Sequence, residues 1–391
     1  RAGQTRTVSI SPAHSRAIIS PADEAGLDGY AVLAHDGLVA PAQSAVWVRA
    51  WSKNVASNAV VATLHLGERP ALALAVDVEK TGPITIGTFM GGRHANGNFP
   101  ACDRTLAADI SPSDLAALFD AIRHSRPDID LLKLERLAPE IGGVPNPLLQ
   151  LDNHPSPNMS LAVGLDGGFN AVLERTSAKR KRKKHRSQTR KFETAGGFRR
   201  LRAETPEGVQ RLLSAFFEMK EQRFRKMGIA NVFGDPNVRR FFGELFSADT
   251  GAGAAFRLDG LEVAGKLRAV TGSSVCGNRL ICEFGAIAED DLAHASPGDF
   301  LFFGNICEAA EAGFAIYDFS VGDEPYKRLW CNIESTQYDV LVPLTLKGPA
   351  FAGTLRAVTA AKTMVKNNPK LWAIAKRLRK GTAAAPVADS D

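Results

Sequence analysis

Residues 279–331 read RLICEFGAIAEDDLAHASPGDFLFFGNICEAAEAGFAIYDFSVGDEPYKRLWC. Arg279 to Ala288 is an apolar run interrupted by Gly285, which predicts a strand with a bulge or a close backbone approach at the glycine. His294-Ala295-Ser296-Pro297-Gly298 is loop chemistry that ends at a helix start. From Asp299 to Ala312 the apolar positions Phe300, Leu301, Phe303, Ile306 and Ala310 recur at helical spacing. Gly313 stops the helix, and Phe314 to Phe319 reads as a short buried strand, followed by a polar turn carrying Lys327. A strand feeding a loop and then a helix N-terminus leaves free backbone N–H groups at the positive end of the helix dipole, which suits a phosphate or pyrophosphate. The backbone of Gly298, Asp299 and Phe300, beside Ser296, is the candidate cradle.

Outward from this stretch, the sequence alternates strands and helices. Ser177 caps a helix that runs to Ala195 and stops at Gly196-Gly197, and a strand follows at Phe198 to Arg202. Thr205-Pro206-Glu207 opens a helix with a stripe of Val209, Leu212, Leu213, Phe216 and Phe217, closing at Gly228, and Asp235-Pro236 opens another to about Phe246. Strands are expected at 253–258 and 261–271 around an Asp259-Gly260 turn, with a last strand from Tyr338 to Leu346. In the first half, Ser44 to Trp51 reads as a helix and strands follow at 59–66, 70–78 and 84–89. A helix capped by Ser111 with Pro112 at its first position and a strand at 128–134 complete the set. Residues 1–40 read as a partly extended lead-in, and Thr354 to Lys380 as a basic amphipathic helix broken near Pro369, before a disordered tail at 381–391. The helix-then-strands order occurs twice, which suggests a duplicated fold. Strands in this number with helices between them exclude a bundle or a sandwich.

Charge is local. The chain of 391 residues has net charge +6, but residues 179–191 (KRKRKKHRSQTRK) and 347–391 hold the excess, and the rest is net acidic. A chain-wide nucleic-acid footprint would not look like this, and the 179–191 run has no aromatic to stack a base. Within it Arg182, Arg186 and Arg190 fall on one helix face, where they can meet phosphates or an anionic acceptor. Five cysteines, an odd number with no CxxC pair, argue for a reducing compartment and against a disulfide framework or zinc site. Scattered histidines without H-E-x-x-H spacing predict no metal, and no G-x-S-x-G or Walker A element is present. No apolar run approaches a membrane span and the first residues show no signal-peptide core, so a cytoplasmic location is the default.

The Ser-Pro-Gly-Asp helix start, its spacing to Gly313 and the D-F-x-x-G-D-E-x-Y-K segment from Asp318 to Lys327 together resemble the CelD/BcsL-type acetyltransferases. Those are relatives of the GNAT acyl-CoA N-acyltransferases and of the FemAB-like aminoacyl transferases. The resemblance is strongest over about 175–345 and reaches more weakly back to Trp47 and the Gly91–Asn96 segment. It implies an α/β protein of two tandem GNAT-like halves, each a mixed, mostly antiparallel sheet flanked by helices. The expected boundaries are 1–40 lead-in, 41–174 first half, 175–346 acyltransferase half and 347–391 basic tail. It also implies an N-acyltransferase taking its group from acetyl-CoA or another acyl-CoA and passing it to an amine acceptor, in exopolysaccharide (cellulose) or cell-envelope biosynthesis.

In that layout the strand around Gly285 meets the thioester carbonyl, and Glu283, on the same strand beside Leu280 and Phe284, is the candidate general base. The resemblance gives Lys327 the stabilisation of oxyanion charge and Asp318 and Tyr326 the orientation of the acceptor amine. Ser296, Gly298, Asp299, Phe300, Gly285, Arg182 and Arg186 are the candidate donor-binding residues. The loop Ala293–Gly298 departs from the Q/R-x-x-G-x-G/A pattern usual in GNAT enzymes, and Asp299 is a poor neighbour for a phosphate. Two other readings stand beside this one. One is a FemAB-like transferase using charged tRNA; the other is a non-catalytic scaffold of a polysaccharide-synthesis complex.

Overall fold

The computed structural model describes residues 15–251 and 253–367. The first half comprises β1 (Ser15–Pro21), α1 (Glu24–Asp36), α2 (Ala45–Asn54), β2 (Ala59–Leu66), β3 (Arg69–Thr81), β4 (Ile84–Phe89), β5 (Ala101–Cys102), α3 (Pro112–Ser125) and β6 (Leu131–Leu137). A connecting stretch carries β7 (Glu140–Ile141), β8 (Val144–Pro145), β9 (Asn153–Pro155), β10 (Ser160–Gly164) and α4 (Gly168–Arg175). The second half follows as α5 (Ala178–Thr194), β11 (Phe198–Arg202), α6 (Pro206–Met227), α7 (Pro236–Ser247), β12 (Phe256–Val263), β13 (Lys266–Cys276), β14 (Arg279–Ile287), α8 (Pro297–Glu311) and β15 (Ile316–Val321). The last elements are α9 (Pro325–Arg328), β16 (Ile333–Ser335), β17 (Tyr338–Pro343) and α10 (Gly348–Asn367).

The succession strand, two helices, three strands, helix, strand occurs twice, so the fold is α/β with two mixed sheets flanked by helices. Local chemistry sets the helix ends. Ser111 and Asp114 form a reciprocal capping box at α3, Thr205 accepts from the Gly208 amide at α6, and Gly228 closes α6 in a left-handed conformation. The sheet orders are β1-β2-β3-β4-β6-β17-β9, with β5 beside β3, and β11-β12-β13-β14-β15-β10-β16. Each half ends in a parallel pair: Ile86–Thr88 with Leu131–Lys133, and Arg279–Ile281 with Ile316–Asp318.

The chain crosses between the sheets. β10 inserts beside β15 in the second sheet, and β17 returns to pair with β6 and β9 in the first. A cut at 174/175 therefore leaves one strand of each sheet on the far side. The helices facing inward bind the halves further, because Leu27, Trp47 and Trp51 share one core with Phe216, Phe241 and Phe242. Trp47 and Trp51 meet the Phe241 ring edge-on at 4.9 and 5.0 Å. α3 covers the outer face of the first sheet, and α5 and α8 cover the outer face of the second.

Several expectations shift. The lead-in is not merely extended: β1 pairs with β2, and α1, capped by Asp23, buries Leu27, Tyr30, Leu33 and Ala34. Its small, mixed residues hid a stripe that only the inner core makes necessary. β12 runs through Asp259-Gly260 to Val263, and the hairpin turns at Ala264 and Gly265, both at positive φ (51° and 75°). Gly260 lies in the sheet interior under Leu212, where a Cβ would sit 2.8 Å from Leu212 Cδ2. The strand expected at 128–134 lies at Leu131–Leu137, and the final strand belongs to the first sheet. The C-terminal helix starts at Gly348, earlier than expected; the break near Pro369 and the tail fall outside the described residues.

Candidate active site

β14 and β15 are hydrogen-bonded only at their starts and separate beyond Ile281 and Asp318. The opening is sharpened by a bulge. Ser273 pairs with Cys282 and Gly272 with Phe284, so Glu283 is an extra residue in β14. The bulge reverses the strand's alternation: Leu280 and Cys282 face the outer core, whereas Phe284 and Ala286 face α6 and α7. It falls two residues before the expected position. Gly285 pairs regularly with Thr271, and a Cβ there would meet nothing closer than 3.6 Å, so no close approach demands that glycine. Across the opening Ser320, at φ 55°, donates through its hydroxyl to the Cys282 carbonyl at 2.9 Å.

Lys327 is buried beside this opening, on the single turn of α9 that Pro325 starts. Its Nζ donates to the Val321 carbonyl at 2.8 Å and pairs with Glu324 at 2.9 Å. An ammonium carries three donors, so one remains for a ligand. The Tyr326 ring stacks on Phe302 (5.6 Å, 10°), and burial raises its phenol pKa, keeping it neutral. Asp318, expected to orient the acceptor amine, is engaged at both oxygens: one pairs with Arg279 at 2.7 Å and the other accepts the Ser320 amide at 2.7 Å. It braces the left-handed turn at Ser320.

Glu283 is also engaged at both oxygens. Ser274 donates to one at 2.5 Å and Asn96 to the other at 2.8 Å, and Asn96 Nδ2 also reaches the Glu283 carbonyl at 2.7 Å. Burial raises its carboxyl pKa, offset in part by these two bonds. The expected base is thus a joint between the halves, because Asn96 belongs to the loop 91–98 of the first half. That loop is the glycine-rich segment at the edge of the resemblance, and Gln337 holds it through the Asn96 carbonyl at 2.8 Å.

The expected phosphate cradle at α8 is poorly supplied. Pro297 has no N–H, and the amides of Asp299 and Phe300 already donate to the Ser296 carbonyl at 3.1 and 3.2 Å. Gly298 is packed against Ile287, whose Cγ2 would be 2.7 Å from a Cβ. Asp299 is paired with Lys184 at 2.9 Å, and Phe300 is core, stacked under His185. The basic helix α5 lies across this end of α8, with Gln188 donating to the Ala295 and Ser296 carbonyls at 3.0 and 3.1 Å. Cations take the place of amides. A groove of about 750 Å³ is lined by Lys183, Arg186, Arg190 and Lys191 together with Leu292 and His294. Among the described residues none of these four cations has a carboxylate within ion-pair distance. Arg182 does not join them; it turns to Glu174 and Asn170.

Sequence reasoning passed over Lys220 on α6, whose ring neighbours Phe216 and Phe233 contact Phe284 of β14, and Arg279 and Ser320 around Asp318. For Lys220 a signal exists: it stands in the helical stripe four residues from both Phe216 and Phe224. Among the described residues no group of three His, Cys, Asp or Glu side chains is placed to hold a metal, and no helix is long and apolar enough to cross a membrane.

Residues 179–328 match the family model of the acetyltransferase (GNAT) domain. No curated protein matches the sequence. Among solved structures, FemX is similar with a TM-score of 0.56 and 13% identity, covering 83% of this chain and 97% of that one. L-PGS from Bacillus licheniformis gives 0.48 and 10% over 87% and 96%. A tandem GNAT protein from the clavulanic acid biosynthesis pathway gives 0.46 and 13% over 85% and 99%. At such identity the likeness to FemX is one of fold. The segment that resembles the acetyltransferase (GNAT) domain, less than half of the chain, carries β14, the opening, α8 and Lys327.

Proposed function

We propose that the opening between β14 and β15 moves an acyl group from acyl-CoA to an amine. The observation that carries this reading is the separation of the parallel pair beside a buried lysine with one uncommitted N–H. The neutral amine attacks the thioester carbonyl, an N–C bond forms as the C–S bond breaks, the amine's proton passes to the departing CoA thiolate, and the spare N–H of Lys327 meets the oxygen on which charge develops. The four unpaired cations of α5 supply the contacts to the donor's phosphates that the α8 amides do not. Donor and acceptor then approach from opposite faces of the second sheet, the donor along α5 and α8 and the acceptor along α6. Glu283 and Asp318 hold the walls in place. The CelD/BcsL-type resemblance supports an acceptor belonging to an exopolysaccharide such as cellulose or to a cell-envelope precursor.

Calorimetric titration of acetyl-CoA tests the donor. Micromolar binding is expected, weakened at least tenfold in Arg186→Glu/Arg190→Glu and falling with salt. Absence of binding to the unaltered chain overturns the acyl-CoA reading and moves charged tRNA, or a non-catalytic scaffold, ahead of it.

A further inference from the structure

Lys220 has no anion of its own. Its ammonium lies 5.6, 5.7 and 5.8 Å from the ring centres of Phe216, Phe224 and Phe233, and among the described residues no carboxylate is within ion-pair distance of it. The charges around it are already matched. Arg223 and Lys226 on the same helix share Glu289 at 3.5 and 2.6 Å, and Glu324 across the opening holds Lys327 at 2.9 Å. Two of these rings, Phe216 and Phe233, lie 4.3 and 6.3 Å from the ring of Phe284, the residue after the Glu283 bulge, so Lys220 sits on the α6 side of β14 at the opening. It occupies an apolar helix stripe where a methionine would pack at less cost. Burial among the rings pulls its pKa down to about 8, and a bound anion would raise it again. Ring faces stabilise a cation but cannot neutralise it. The missing partner is therefore supplied from outside, on the face where the acceptor enters.

We propose that Lys220 receives an anionic group of the acceptor, a carboxylate or a phosphate, so that the acceptor is an amine bearing such a group: an amino acid or a phosphorylated amino sugar. This rests on the reading of the opening as the acyl-transfer site. The anion seats against Lys220 and the aromatic wall, and the amine points from there toward Lys327. A neutral amine of the same shape leaves Lys220 unmatched and gains nothing from it.

The test is calorimetric binding of acylated product mimics to the full chain. The charged probes are N-acetylglycine and N-acetylglucosamine 1-phosphate; the neutral ones are N-acetylglycinamide and N-acetylglucosamine. In the unaltered chain at least one charged probe binds tenfold or more tighter than its neutral counterpart, and the better arm distinguishes carboxylate from phosphate. The gap collapses in Lys220→Met and survives in Lys220→Arg; thermal melts confirm that both variants fold. No charged probe binding, no gap, or a gap that persists in Lys220→Met overturns the proposal. Acetyl-CoA titrated into the unaltered chain in the same buffer reports on the donor separately. Binding there without a charged-probe gap sinks the Lys220 proposal alone; a Lys220-dependent gap without donor binding sinks the donor reading alone.

Discussion

The two sheets share one succession of elements but treat their parallel pairs differently. Beyond Thr88 and Lys133 the first pair is filled. The chain after β4 turns back so that the Asn98 amide donates to the Arg136 carbonyl at 2.8 Å, and the Ala138 amide to the Asn98 carbonyl at 2.9 Å. The Asn98 side chain donates to Glu135 at 2.8 Å and accepts from Gln43 at 2.9 Å, while Phe89, Met90 and Phe99 are buried around it. The second pair is bordered instead by Lys327, Glu324 and Ser320, and among the described residues no segment closes it by backbone pairing. One copy spends its opening on packing; the other keeps it for charge. The same loop that fills the first opening reaches on to hold Glu283 of the second, so the closed half braces the open one.

The sharpest break of this comparison is to empty the closed opening. Phe99→Ala should lower stability by about 3–5 kcal/mol, read by urea unfolding, because a fully buried ring leaves a cavity. A near-neutral result would mean that the first opening is not packed as described. In the open half, Lys327→Ala should lower kcat/KM by about 10²–10³-fold with an unchanged circular dichroism spectrum, the size expected for losing one donor to a developing oxyanion. Unchanged turnover would remove the chemical distinction between the halves.

The loop joining them gives a pH signature. His94 sits among Trp51, Phe233 and Phe242, and burial, then Arg93 and Arg136, lower its pKa to about 4. The folded chain resists protonating it while the unfolded chain takes up the proton near pH 6.5. Its contribution is therefore complete above about pH 6.5 and lost as pH falls toward 4, by up to about 3 kcal/mol. Thermal melts of His94→Phe across this window should show a flatter pH dependence than the unaltered chain; an identical slope would place the loop elsewhere. The smallest effect belongs to Asn96→Ala. It leaves the Glu283 carbonyl and carboxyl short of a donor and should cost about 1–3 kcal/mol, measured by urea unfolding alongside Phe99→Ala.

Helices with written ends were legible in the sequence: Ser111-Pro112, Thr205-Pro206 with Gly228, and Asp235-Pro236 all sit where their caps predict. The doubled order was legible too. The exchange of β10 and β17 was not, because a strand's sequence records its burial and not which sheet it joins. The Asp259-Gly260 pair misled for a related reason: turn chemistry in isolation cannot show that Arg202 satisfies Asp259 inside a sheet, at 2.9 Å, or that Leu212 fills the space above Gly260. At the proposed site, motif and spacing had pointed to Lys327 and Arg186, which the proposed function retains. The bulge at Glu283 and the engagement of Asp318 depend on pairing register and on partners as distant as Asn96, which no local pattern records.

The central claim is that the second opening alone receives the donor. Hydrogen exchange measured by mass spectrometry, with and without acetyl-CoA, tests it directly. The account predicts added protection over residues 183–194 and 283–287, with none over 86–90 and 131–137. Protection over 86–90 and 131–137 equal to or greater than that over 183–194 and 283–287 would contradict it.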